Sequence, residues 1–228
     1  GGQSVTFTVN CVASSGSIGV SVQDSPGGGW QVTWSDTQGV VSGSKTGSSS
    51  TSWTINNVPS GDTVIFQASI TSSLPGYACG ISPSSASLSG GQSITFTVSC
   101  YPLVPLTVSV TNDTLGASWQ VSWSDSQGLT SGSYGSSSNA QWTVYAPQGL
   151  TEYFSAGITS NPIGYSCTIS PSYTSVPAQS GASVTFTVSC VEVPGVIVQV
   201  NDQAPNEATW WVTGYDSQGV LLGWSVSG

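Results

Sequence analysis

The sequence predicts an all-β protein built of tandem β-sandwiches, the last of them incomplete. Three observations lead there. Residues 76–100, GYACGISPSSASLSGGQSITFTVSC, return at 164–190 as GYSCTISPSYTSVPAQSGASVTFTVSC, and the end of this motif opens the chain at 1–11 as GGQSVTFTVNC. Apolar and polar residues alternate over short runs, as half-buried strands require, and no stretch shows a helical period. Turn residues punctuate these runs roughly every eight to twelve positions. The 228 residues thereby divide into a first repeat at 1–89, a second at 90–180 and a partial third at 181–228.

The first repeat opens with a strand from Val5 to Cys11 and a second from Ile18 to Gln23. A third strand alternates Trp30, Val32 and Trp34 and ends at Asp36-Thr37-Gln38-Gly39. There Asp can accept hydrogen bonds from the backbone just after it, and Gly can take a positive φ. A Ser/Gly loop leads to Trp53-Thr54-Ile55, and the next strand alternates Val64, Phe66, Ala68 and Ile70. The 76–100 motif then reads as a hairpin, with Ile94, Phe96, Val98 and Cys100 on one face of its return strand. In the second repeat Trp119, Trp123, Asp125, Trp142 and Phe154 take the places of Trp30, Trp34, Asp36, Trp53 and Phe66. The third repeat has its own Trp strand at 210–219 but no counterpart of Trp53, of the Phe66 strand or of the Tyr-x-Cys segment. Half a sandwich cannot cover its apolar face, so something must complete it. A repeat of about 90 residues is immunoglobulin-like or fibronectin-III-like in size and too long for a solenoid unit.

Five cysteines in a Ser/Thr-rich chain point to an oxidising compartment. Two pairings fit. One joins Cys79 to Cys100 and Cys167 to Cys190 across each hairpin and leaves Cys11 over; the other joins Cys11 to Cys79 and Cys100 to Cys167. The near-symmetric placement of each pair about its turn favours the first. Cys11 then becomes a candidate for an intermolecular disulfide.

Composition narrows the function classes. One Lys, no Arg and no His against ten acidic residues give a net charge of -9, so no cationic surface exists to neutralise nucleic-acid phosphates. Without His there is no Ser-His-Asp triad and no His-liganded zinc. No apolar run is long enough to span a membrane, and no signal peptide precedes Gly1, which reads as a processed or truncated product. No catalytic residue, metal ligand or cofactor is expected.

The acidic residues admit a glycosidase pair or a calcium site. Asp36, Asp125 and Asp216, however, recur at one turn position, which suits a turn role better. The six Trp residues of the first two repeats could form a sugar-stacking platform; their phase with Val32 and Val121 assigns them to the interior instead. Trp210 and Trp211 are adjacent, so one of them must face outward and is the better interface candidate. Asn112-Asp113-Thr114 is an N-glycosylation sequon, and the Ser-rich loops 42–52 and 131–138 are either O-glycosylated or bare.

The residues 30–39, 76–98, 119–128, 164–188 and 210–219 carry a pattern of TFTV strand, W-x-V-x-W with its turn, Ser-rich loop and GY-x-x-x-SPS hairpin. It resembles immunoglobulin-like repeats of secreted and cell-surface proteins of thermophilic archaea, from which the cysteine pair here departs. The resemblance implies an extracellular, non-enzymatic structural protein, such as a subunit of a pilus or surface thread joined by a strand donated from the neighbour. Val5, Phe7 and Val9 at one end and Val184, Phe186, Val188, Trp210, Trp211 and Val212 at the other are the expected subunit interface of a head-to-tail homo-polymer, with glycans as a further partner. A carbohydrate-binding module and a stalk fragment of a larger secreted protein are the rival readings.

Overall fold

The computed structural model describes residues 15–25, 27–112 and 116–193, together with the short strands Trp211–Val212 and Val226–Ser227. The chain divides into two compact units, Gly1–Glu192 and Val193–Gly228.

In the first unit the strands are β1 (Gly16–Ser25), β2 (Gly29–Asp36), β3 (Ser42–Gly47), β4 (Thr51–Val58), β5 (Thr63–Ser72), β6 (Tyr77–Ser82), β7 (Ser85–Ser89) and β8 (Ser93–Asn112). They are followed by β9 (Ser118–Asp125), β10 (Ser131–Ser136), β11 (Ala140–Pro147), β12 (Thr151–Ser160), β13 (Tyr165–Ser170), β14 (Tyr173–Pro177) and β15 (Ser183–Glu192). The first sandwich faces a β6-β8-β1-β4 sheet with a β3-β2-β5-β7 sheet. The second faces β13-β15-β8-β11 with β10-β9-β12-β14. The two are alike strand for strand. In the second unit, β16 (Trp211–Val212) and β17 (Val226–Ser227) pair antiparallel.

Each sandwich has its own core, set by the period-2 alternation. The first packs Ile18, Val20, Val22, Trp30, Val32, Val64, Phe66, Phe96 and Val98, all at most 3 % exposed. The second packs their counterparts, Leu106, Val108, Val110, Trp119, Val121, Phe154, Phe186 and Val188 among them. Phe66 meets Phe96 at 6.2 Å between ring centroids, and Phe154 meets Phe186 at 6.4 Å.

The packing unit is out of phase with the sequence repeat. Boundaries at 89/90 and 180/181 would cut Phe96 and Phe186 away from the cores they close. The TFTV strand that begins the second and third repeats in the sequence is instead the last strand of the preceding sandwich. It lies parallel to that sandwich's first strand: β1 beside β8 with Val20 opposite Ile94, and β8 beside β15 with Val108 opposite Val184. A first and a last strand that run parallel let the chain enter a sandwich at one end and leave at the other. β8 therefore serves twice without interruption. Residues 93–100 close the first sandwich, and residues 103–112 open the second.

Candidate functional site: the joint between the sandwiches

The joint forms where β8 passes from one core to the next. Its second contact is the turn after β9. The Asp125 carboxylate accepts the Gln127 N–H at 2.7 Å and the Thr130 hydroxyl at 2.9 Å, and also the Thr130 N–H. Gly128 takes φ 71°, a left-handed conformation that favours glycine. The turn so fixed aims Leu129 at Gly80 on β6, where a Cβ on the glycine would stand 2.7 Å from Leu129 Cδ2. Beside this contact the Gln127 Nε2 donates to the Tyr101 hydroxyl at 3.2 Å. A cleft of about 500 Å³ lined by Gly80, Ser82, Thr97, Ser99 and Tyr101 of the first sandwich and by Gln127 and Leu129 of the turn opens beside this contact. It holds hydroxyls and an amide but no charged side chain.

Each sandwich is also clamped beside its closing strand. Cys79 and Cys100 stand opposite each other on β6 and β8 and are bonded, with Cα atoms 4.0 Å apart. Cys167 and Cys190 are bonded in the same way between β13 and β15, again at 4.0 Å. The alternation that faces Cys100 inward with Phe96 and Val98 places each bridge over its own core.

The other expected site residues fall as follows. Val184, Phe186 and Val188 are not a subunit surface. They are 6 %, 0 % and 0 % exposed inside the second core, because β15 closes that sandwich and does not begin a new one. Val5, Phe7, Val9, Cys11 and Trp210 lie outside the described residues, as do the side chains of Trp211 and Val212. Asn112 is 5 % exposed. Its Nδ2 donates to the Ala117 carbonyl at 3.0 Å and the Ser137 carbonyl at 3.1 Å, so the sequon amide is spent on holding two loops. Trp30 and Trp119 are each 1 % exposed, and Trp53 and Trp142 stack on them at 6.4 and 6.1 Å. These rings fill the interior between facing edge strands. Lys45 Nζ lies 4.7 Å above Trp53, a place taken in the second sandwich by Tyr134, 4.7 Å from Trp142.

One buried acid had no signal in the alternation beyond its being out of character. Glu152 stands where the first sandwich has Val64, and both residues are 0 % exposed. Neither carboxylate oxygen has a hydrogen-bond partner. Burial, and then the charge of Asp125 opposite on β9, push its pKa up to about 7. Asp62 goes the other way: the Thr37 hydroxyl foremost, with the Thr63 N–H, holds its carboxyl below the usual range against a contrary desolvation. Among the described residues no cluster of His, Cys, Asp or Glu is placed to hold a metal ion, and no helix is long and apolar enough to cross a membrane.

No protein-family model and no curated protein matches the chain. Among solved structures it is similar to the streptococcal ancillary pilin, at 16 % identity over 76 % of this chain with a TM-score of 0.39. It spans 62 % of that protein's length. GBS52, the minor pilin of Streptococcus agalactiae, is similar at 10 % identity over 82 % of this chain and 100 % of its own, with a TM-score of 0.37. The shaft pilin SpaA of Lactobacillus rhamnosus GG gives 10 % identity over 82 % of this chain and 100 % of its own, with a TM-score of 0.26. Likeness at this level carries no argument about what the chain does.

Proposed function

We propose that the chain is a non-enzymatic structural subunit of an extracellular filament or cell-surface assembly, with a mechanical role. The observation that carries this reading is β8, one unbroken 20-residue strand that belongs to both cores. Tension along the chain at the joint would be borne by one strand hydrogen-bonded into both sandwiches, with no free linker between them. The disulfides support the extracellular placement, since such bridges persist in oxidising compartments. The resemblance of the repeats to those of archaeal surface proteins agrees with it.

Subunits are joined, in this reading, by β-strand addition. Residues 4–11 match the closing strands 93–100 and 183–190, so they would close a sandwich of the neighbouring subunit. Val5, Phe7 and Val9 would take the core places of Ile94, Phe96 and Val98. Cys11 would stand where Cys100 stands in the first sandwich, as the candidate for an intermolecular disulfide. Asn112 is unmodified in this reading, and glycans, where present, sit on the exposed Ser-rich loops. The test is native purification followed by negative-stain imaging and intact mass with and without reductant. Filaments whose subunits run as disulfide-linked dimers without reductant, lost in a Cys11→Ser variant, support the subunit reading; a monodisperse monomer ends it.

The continuity of β8 also favours a second reading, in which the same strand closes a preceding sandwich of one longer polypeptide and the chain is part of a stalk. A single larger mass that reduction does not change selects the stalk.

A further inference from the structure

The outer face of the β10-β9-β12-β14 sheet departs at three places from the same face of the first sandwich. Tyr153 stands opposite Ser124 as Ile65 stands opposite Ser35, and Tyr173 stands opposite Ser155 as Ser85 stands opposite Gln67. Gly157, opposite Gln120, takes the place of Ser69, opposite Gln31. The two tyrosine rings lie 6.3 Å apart between centroids, with their planes within 18° of each other. They are nonetheless 37 % and 60 % exposed. A cross-strand aromatic pair steadies a sheet, but it does not require that much ring face in water.

The glycine is the more telling change. Inside a strand, glycine costs backbone entropy and leaves no side chain to pack. At Gly157 φ is not positive, and a Cβ would meet nothing within 4 Å. The bulge that follows, between Ile158 and Ser160, is matched in the first sandwich between Ile70 and Ser72, where the same place holds serine. Neither the backbone nor the neighbours in this chain call for a glycine, and the remaining reason for one is the close approach of a ligand. On the same face, a groove of about 160 Å³ is lined by Tyr153, Tyr173, Ser122, Ser124 and Ser155, and its lining carries no charged side chain.

Ring faces beside a floor of hydroxyls suit a sugar. A pyranose offers an apolar C–H face to an aromatic ring and a rim of hydroxyls that both donate and accept, as serine does. With ten acidic residues against one lysine, the chain repels acidic sugars and phosphates. That lysine, Lys45, lies over Trp53 in the first sandwich. We propose that this face binds a neutral extracellular polysaccharide, with one sugar ring stacked on Tyr153 and Tyr173, its hydroxyls on Ser122, Ser124 and Ser155, and the glycan chain running over Gly157. The first sandwich, with Ile65, Ser85 and Ser69 at these places, does not bind it. The role is additional to the structural one proposed above and does not depend on it.

The test is isothermal titration of the full chain with the neutral sugars cellohexaose, maltohexaose and mannohexaose, and with hexagalacturonate as the anionic control. The wild type is expected to bind at least one neutral sugar with a Kd of about 1 mM or tighter, and not the control. Tyr173→Ala should weaken that binding about tenfold or more, whereas Tyr173→Phe, which keeps the ring face, should change it less than about twofold. Gly157→Thr should block binding with a melting temperature at or above the wild-type value, since threonine suits an exposed strand better than glycine. That combination separates a ligand site from a pair of tyrosines that only steadies the sheet. Failure of all the neutral sugars to bind, preference for the anionic control, full affinity in Tyr173→Ala or Gly157→Thr, or loss of affinity in Tyr173→Phe overturns the proposal.

Discussion

A carboxyl group without a partner in a β-sandwich core makes the second sandwich sensitive to pH where the first has valine. Glu152 has its pKa raised from 4.5 to about 7, so the folded state binds the proton more tightly than the unfolded chain. The cost of burying it is absent below about pH 4.5, grows between there and 7, and is complete above. A rise of that size corresponds to roughly 3 kcal/mol. The melting temperature of the second sandwich is expected to fall across that window. Glu152→Gln should flatten the dependence, and Glu152→Val, the residue of the first sandwich, should raise the pH 7 melting temperature by on the order of 10 °C. Thermal unfolding followed from pH 4 to 8 checks both, and a wild-type curve without slope there removes the buried charge from the account. Asn112 acts by the opposite logic, as a buried polar group that is used. Asn112→Ala leaves the Ala117 and Ser137 carbonyls short of a donor and is expected to cost about 1–3 kcal/mol in denaturant unfolding. Intact mass of secreted protein should show no glycan at this site, since an N-linked sugar would take one of the two N–H groups that hold these loops and would have to be accommodated at a position only 5 % exposed.

At the scale of elements, the turn after β9 and the two hairpin bridges stiffen what β8 connects. Leu129→Ala removes the side chain that fills the space above Gly80. It is expected to leave the stability of each sandwich within about 0.5 kcal/mol of wild type, as for a change outside the cores. Its effect belongs to the joint: the distance distribution between spin labels on the two sandwiches should broaden, and an unchanged distribution would assign all the rigidity to β8. Opening the bridge with Cys167→Ser and Cys190→Ser together frees a loop with a sequence separation of 23. The expected cost is about 3 kcal/mol in the second sandwich, read as a lower denaturation midpoint with the first sandwich unaffected.

For the whole molecule, the scarcity of charge sets how it meets others. With Lys45 as its one cationic side chain, the chain has little to steer an anionic partner such as another copy of itself, and the contacts proposed between subunits are apolar or hydroxyl-lined. The assembly threshold is therefore expected to change less than about threefold between roughly 0.05 and 0.5 M salt, since screening acts only on charges. Sedimentation at both salt concentrations reads it directly, and a steep dependence would point to an ionic interface.

Alternation in TFTV and W-x-V-x-W, the turn residues around Asp36 and Asp125, and the copied Cys-to-Cys hairpin were enough to give strands, inward faces and repeats, because each depends on neighbours a few residues away. The hairpin bridge was legible for the same reason. Which sandwich a strand belongs to is not a local property. Phe96 and Phe186 reach their cores through a parallel pairing with strands some 70 residues earlier, so repeat boundaries drawn where the motif begins placed Val184, Phe186 and Val188 on a surface when they lie inside. Glu152 in a valine's place, the inward turn of Asn112 and the meeting of Leu129 with Gly80 likewise appear only once the sheets are stacked. Local pattern decides how a strand faces, and tertiary contact decides what it faces.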